Sequence, residues 1–216
     1  MKLLVLGASG KTGQVVVRQA LAAGHEVTAF VRDPERLPVR DPRLSIATGD
    51  ARSPDDLRSA LLGQDAVISA LGASPKARPT GSSSRRPGAG VIERSTRALA
   101  EAASEVGVRR VVMLSTFMLA PNFRAGILKP LAGLNKAMND DKRAGEQVLK
   151  ESNLDWTIVY ATRLTDGERT GRERVIPETE TVTPRNTASR SDVAAFLLGE
   201  ITDEASVRRC LVVTTA

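Results

Sequence analysis

The stretch LVLGASGKTGQVVV, residues 3 to 16, leaves a chain little freedom in how it begins to fold. An apolar run suited to a buried strand, Lys2 to Leu6, ends at Gly7, and Gly10 and Gly13 follow at three-residue spacing. An amphipathic run from residue 12 to 23 then stops at Gly24. A strand, a tight glycine turn and a helix in that order form the opening unit of a parallel α/β sheet, with a helix amino end left facing whatever the turn cradles.

Two kinds of phosphate site use such glycines. A triphosphate-binding loop needs Gly, four residues, then Gly-Lys-Ser/Thr. Gly10-Lys11-Thr12 supplies the tail, but the first glycine would have to stand at position 5, which is Val5 in mid-strand. The spacing Gly7-x-x-Gly10-x-x-Gly13 suits a dinucleotide instead: one glycine for the turn, one for close approach to a pyrophosphate, one for packing helix against sheet.

Strand-like and helix-like runs alternate over almost the whole chain of 216 residues. Strands are expected at 25–31, 44–49, 65–71, 109–115, 154–161 and 210–215, with short ones near RVIP (174–177) and ETVT (180–183). Helices are expected after the Ser53-Pro54-Asp55-Asp56 cap and over 91–106, 140–152 and 189–201. This pattern predicts one α/β domain over 1–216, a Rossmann-type doubly wound parallel sheet with helices on both faces. Segments of about 72–90, 116–139 and 162–188 break the periodicity and read as substrate loops.

Composition narrows the function classes. Aromatic residues make up 3% of the chain, leaving few platforms on which bases could stack, and the formal charge of +6 is scattered rather than gathered on a recognition element. An anionic small molecule accounts for the same surplus without nucleic acid. Cys210 stands alone, which points away from disulfides and cysteine-held zinc and toward a buried strand position in a cytoplasmic protein. The apolar runs are too short to span a bilayer, and Met1 leads directly into a strand, so neither an anchor nor a signal peptide is expected. A monomer or homodimer acting on a small-molecule substrate, with no metal, fits these features.

The residue about twenty positions beyond the glycines discriminates between dinucleotides. An acid there binds the ribose 2′-hydroxyl of NAD, whereas arginine accommodates the 2′-phosphate of NADP. Nineteen residues past Gly13 stands Arg32, with Arg36 following, which favours NADPH/NADP+. Asp33 reads as the cap of a short turn opened by Pro34.

The ordered set LGASGKTG, VTAFVRDPERL, GD (49–50), GQDAVISALG, GVRRVVMLST and LKESNLDWTIV covers nearly the whole chain. It resembles the atypical short-chain dehydrogenase/reductases with an NAD(P)H-binding, NmrA-like domain, and within them the flavin reductase and biliverdin-IXβ reductase branch. The resemblance implies that Gly7, Ala8, Ser9, Gly10, Lys11, Thr12 and Gly13 cradle the pyrophosphate, and that Arg32 and Arg36 hold the 2′-phosphate. It further implies that Asp50 and Ala51 line the adenine, and that Leu71 and Gly72 run beneath the nicotinamide ribose. A Thr-Ser pair beside the nicotinamide in that branch becomes Ser115-Thr116 here, in reversed order. Two histidines of the branch are replaced by Lys142, in NDDKRAGE, and by Arg163, in YATRL.

Ordinary members of the superfamily donate a proton from the tyrosine of Tyr-x-x-x-Lys. The sole tyrosine is Tyr160, with Leu164 four residues on, and four before Lys142 is Met138. Hydride transfer to a flavin, quinone, tetrapyrrole or similar conjugated acceptor demands less of the protein, because charge spreads over the ring and positioning does most of the work. On this reading Ser115 and Thr116 orient cofactor and acceptor, while Lys142 or Arg163 steers or protonates an anionic acceptor. A non-catalytic NADP(H) sensor of the NmrA kind and a tailoring reductase or isomerase of a biosynthetic pathway remain alternatives.

Overall fold

The computed structural model describes residues 1–72, 90–124 and 136–215. Residues 73–89 of the expected loop at 72–90 and 125–135 of that at 116–139 therefore lie outside the described residues.

The first strands and helices are β1 (Lys2–Leu6), α1 (Lys11–Ala22), β2 (Glu26–Val31), β3 (Leu44–Thr48), α2 (Pro54–Leu61) and β4 (Ala66–Ser69). They are followed by α3 (Val91–Val106), β5 (Arg110–Thr116), α4 (Lys136–Glu151), β6 (Asp155–Ala161) and β7 (Arg163–Thr165). The chain closes with β8 (Arg174–Ile176), β9 (Thr187–Ser189), α5 (Arg190–Gly199) and β10 (Arg209–Thr214).

Eight strands form one sheet in the order β3-β2-β1-β4-β5-β6-β10-β8. The order reverses between β1 and β4, and at such a switch point the loops leaving the two carboxyl ends diverge to open a crevice. Alternation along β1 shows how the sheet is covered on both faces. Leu3 and Val5 pack with Val16, Val17 and Ala20 of α1 and with Val193 and Leu197 of α5. Leu4 and Leu6 pack with Leu57 and Leu61 of α2, Leu99 of α3 and Leu149 of α4. All four β1 side chains have no solvent exposure, and each such burial contributes about 1.5–3 kcal/mol.

Local chemistry places the helix ends. Gly24 takes φ +86°, and the N–H groups of Gly24 and His25 bond to the carbonyls of Leu21 and Ala20, closing α1 as its sequence suggests. Ser53 accepts from Asp56 N to cap α2. Asp33 caps the single turn Pro34–Arg36 by accepting from the N–H of Glu35.

Several expectations are corrected. The sheet is parallel except at its edge, where β8 runs antiparallel to β10; a three-residue edge strand needs only one partner and no crossover. The expected ETVT strand is reduced to a single bridge, Val182 with Phe123. The real pairing in that region is β7 with β9, whose three-residue lengths give no readable period. Helix α4 starts at Lys136, four residues before the expected start, because nothing in KAMN breaks a helix. Cys210 does lie in a strand but is half-buried.

Candidate cofactor and reaction site

The glycine turn is shaped by two close approaches. Gly7 takes φ +76°, and a Cβ there would stand 2.7 Å from the Ala70 carbonyl oxygen, so the loops after β1 and β4 touch at the switch point. A Cβ on Gly13 would stand 2.1 Å from the Gly7 oxygen, which brings α1 directly onto the turn. Gly10 is the N-cap of α1 and carries no side chain to bond the first N–H groups, and the first turn holds no acid. A turn shaped for backbone approach, opening onto a positive helix end, fits a pyrophosphate. Ala8 and Thr12 are buried beneath it, while Lys11 is exposed beside it.

Gln14 was not apparent as a site residue from sequence. Its Nε2 donates to the carbonyls of Ser9 and Arg36, both at 3.2 Å, tying the glycine turn to the segment after β2. Arg32 and Arg36 are exposed at that carboxyl end. The Gly49 N–H bonds to Val31 O at 3.1 Å, which sets Asp50 beside Arg32 at the ends of neighbouring strands. The Asp50 carboxylate is engaged by Arg52, with Nε at 2.9 Å, and this contact holds its carboxyl below the ordinary range despite partial burial. Arg52 is a second residue the sequence reading missed; it adds a cation to the side of the crevice where Arg32 lies.

Further along the carboxyl edge, Leu71 and Gly72 follow β4, and Ser115-Thr116 ends β5. Ser115 is the register partner of Tyr160 on β6, and both side chains meet Glu146 of α4. Ser115 Oγ donates to Glu146 Oε1 at 2.5 Å, and Tyr160 OH donates to Oε2 at 2.8 Å. Cys210 Sγ lies 3.9 Å from the same phenol. Burial, then the Glu146 charge, push the Tyr160 phenol well above its ordinary range. Glu146 also escaped the sequence reading, although Gly145, Glu146 and Leu149 form one buried stripe of α4 that could have shown it.

Lys142 precedes Glu146 by one helical turn and is half-buried. Its Nζ is 3.5 Å from the Leu114 carbonyl oxygen, one residue before Ser115. Burial pushes the ammonium below the ordinary lysine value, and the carboxylates of Glu146 and Asp141 pull it back up. Asp141 is itself committed, because it accepts from the N–H groups of Ile92 and Glu93, both at 3.0 Å, and so caps α3 in place of the missing side chain at Gly90. Arg163 lies on the same sheet edge, just past β6, and is exposed. The structure thus gathers Ser115 and Lys142 around Glu146 and leaves Arg163 outside that cluster.

Beside the glycine turn, Lys11 Nζ stands 3.5 Å from Asp166, which also receives Arg190 at 2.5 Å. The following segment is anchored by Asp192, which accepts from Thr170 N at 2.7 Å, Gly171 N at 3.0 Å and Ser189 Oγ at 2.6 Å. Among the described residues no three or more His, Cys, Asp or Glu are grouped to hold a metal, and no helix is long and apolar enough to cross a membrane.

Known proteins share this fold. A short-chain dehydrogenase/reductase from Veillonella parvula, crystallised in complex with NADP, matches with TM-score 0.78 at 21% identity, over 99% of this chain and 94% of its own. An anaerobilin reductase from Escherichia coli matches with TM-score 0.76 at 21% identity, over 100% and 97%. At this identity the likeness is one of fold. In sequence, a chloroplastic protein of Arabidopsis thaliana is 31% identical over 221 residues, covering 94% of this chain and 71% of its own length. The photosystem II assembly factor Ycf39 of Guillardia theta is 27% identical, and the match spans 98% of this chain but only 64% of that factor. A strand-glycine-helix cradle at a sheet switch point, extended into an edge lined by hydroxyls and cations, agrees with the family model that matches residues 7–204: the chain belongs to the NAD(P)H-binding family.

Proposed function

We propose that the protein is an NADPH-dependent reductase that passes hydride to a flavin, quinone, linear tetrapyrrole or similar conjugated acceptor. The observation that carries this reading is the content of the reaction edge. Ser115 and Lys142 stand at one site, but Met138 occupies the place four residues before Lys142 where a proton-donating tyrosine would be needed. The sole tyrosine, Tyr160, is buried with its hydroxyl turned onto Glu146. A carbonyl reductase of the tyrosine-dependent kind has no acid here, whereas a conjugated ring accepts hydride with less assistance.

The turn from Gly7 to Gly13 would hold the pyrophosphate, with Ser9, Lys11 and Thr12 at its rim. Arg32 and Arg36 would hold the 2′-phosphate, Asp50 and Ala51 the adenine side, and Leu71, Gly72 and Ser115 the nicotinamide end. NADPH supplies the hydride when bound. Thr116 and Lys142 would orient and steer the acceptor, with Arg163 at the outer edge, and the segments around 72–90, 116–139 and 162–188 would shape its site. An anaerobilin reductase among the structural relatives supports a tetrapyrrole as one acceptor to test.

The test is anaerobic NADPH oxidation with FMN, riboflavin, a quinone and a linear tetrapyrrole. Turnover with at least one supports the reading. Saturable NADPH binding with no turnover on any of them favours a second reading, a cofactor-binding assembly or regulatory protein, to which the resemblance to Ycf39 lends specific support.

A further inference from the structure

Glu146 is buried at 4% exposure, yet among the described residues both of its oxygens face hydroxyls and no arginine or lysine stands at ion-pair distance. A buried carboxylate is costly to desolvate, and it is retained where its hydrogen bonds fix something. What it fixes here is specific. A carboxylate only accepts, so Ser115 Oγ and Tyr160 OH each spend their single proton on it. Ser115 then has only lone pairs left to offer a ligand, and Tyr160 has no proton free for the site. Thr116 can still donate a hydrogen bond, but an alcohol is a poor acid, so the group at this edge able to give up a proton is Lys142, one turn from Glu146 on the same helix and held against the Leu114 carbonyl.

We propose that Glu146 is a positioning residue that turns Ser115 into a pure hydrogen-bond acceptor, leaving the Lys142 ammonium, one turn away on the same helix, as the proton donor to the reduced acceptor. This rests on the reductase reading above. The balance is simple: the acceptor gains the hydride supplied by NADPH and one proton from Lys142 Nζ, and the neutral amine regains its proton from water before the next turnover. Ser115, as an acceptor, suits an N–H edge such as a carboxamide, imide or lactam, which flavins, tetrapyrroles and the nicotinamide amide all present and simple quinones do not.

The charged and titratable groups around Lys142 are consistent with this assignment. On α4 they are Asp141 and Glu146; Glu146 is faced in turn by Ser115 from β5 and Tyr160 from β6, with Cys210 of β10 beside that phenol. Helix α3 meets Asp141 with its first N–H groups, which offsets part of that carboxylate's charge and leaves Glu146 the stronger influence on the ammonium.

The experiment uses four forms of the full chain: wild type, Glu146→Gln, Tyr160→Phe and Lys142→Arg. Because Tyr160 is the sole tyrosine, its near-ultraviolet absorbance band reports the hydrogen bond its phenol makes in the protein without cofactor, and Tyr160→Phe identifies that band. Glu146→Gln replaces a carboxylate acceptor by a neutral amide and should shift the band to shorter wavelength. An unchanged band overturns the placement of Glu146, whatever the activity. In turnover, kcat should fall at alkaline pH as Lys142 deprotonates, and Glu146→Gln should shift that fall to lower pH while Tyr160→Phe leaves it in place. Lys142→Arg keeps the charge but not a transferable proton, and should cut kcat about a hundredfold with NADPH affinity within about threefold. Turnover of Lys142→Arg near the wild-type level overturns the proton-donor role. If wild type binds NADPH but reduces nothing, the reductase reading and the donor role fall together, and the tyrosine absorbance band still decides whether Glu146 organises the cluster.

Discussion

A Cβ at Gly13 would stand 2.1 Å from the carbonyl oxygen of Gly7, and the obstacle is backbone that cannot swing aside. The first turn of α1 and the end of β1 are thereby locked at one distance. Gly13→Ala should cost about 2–3 kcal/mol in stability, at the upper end of overpacking effects, and should reduce NADPH affinity further than the stability loss explains. Urea unfolding and NADPH fluorescence titration on the same sample check both.

The arginines after β2 should act on one cofactor only. Arg32→Ala removes a cation from the proposed 2′-phosphate site, where a charged hydrogen bond would contribute about 1.5–3 kcal/mol. The Kd for NADPH should rise about tenfold or more, with the Kd for NADH within about twofold. Equal loss for both would place Arg32 outside the phosphate site.

Asp166 sets a carboxylate 3.5 Å from Lys11, at the rim of the pyrophosphate turn. Both partners are more than 70% exposed, so the pair is weak in water, but it would compete with a pyrophosphate bound at that turn for the lysine. Asp166→Asn should tighten NADPH binding about two- to fivefold, and the gain should shrink as salt is added. Calorimetry at low and high ionic strength reads this directly.

Asp192 ties the segment around Thr170 to the start of α5. Burial raises its pKa, but the hydrogen bonds from Ser189, Thr170 and Gly171 outweigh that and hold the carboxyl below its ordinary value. A depressed carboxylate stabilises the fold above its unfolded pKa and loses that contribution as pH falls through the folded one. Asp192→Asn should therefore destabilise by about 2–3 kcal/mol near neutral pH, and the gap to wild type should narrow below about pH 4. Urea titrations over that range measure the convergence.

The sheet and the glycine turn at its carboxyl edge were legible because they depend on local patterns. Apolar strands, Ser53 and Asp33 as caps, and glycines at fixed spacing each declare themselves within a few residues. Within 162–189 the short strand near RVIP was legible and is β8, but β7 and β9 were not, since they are three residues long and find each other only through the fold. Glu146 was missed for a different reason. Glutamate is a good helix former and ordinarily faces water, and its partners Ser115 and Tyr160 are 31 and 14 residues away in sequence. Lys142 stood out on the resemblance to the flavin reductase branch, but its half-burial against Leu114 O follows from how α4 packs on β5, which no local pattern encodes.

The central claim is that this chain carries hydride from NADPH to an acceptor, and isotope substitution tests it most directly. Turnover with FMN or a linear tetrapyrrole is compared using NADPH deuterated on one or the other face of the nicotinamide C4. The account predicts that deuterium on one face slows single-turnover oxidation and deuterium on the other does not, because the site holds the ring in one orientation. Saturable NADPH binding with no oxidation on either cofactor, or oxidation indifferent to both labels, would contradict it.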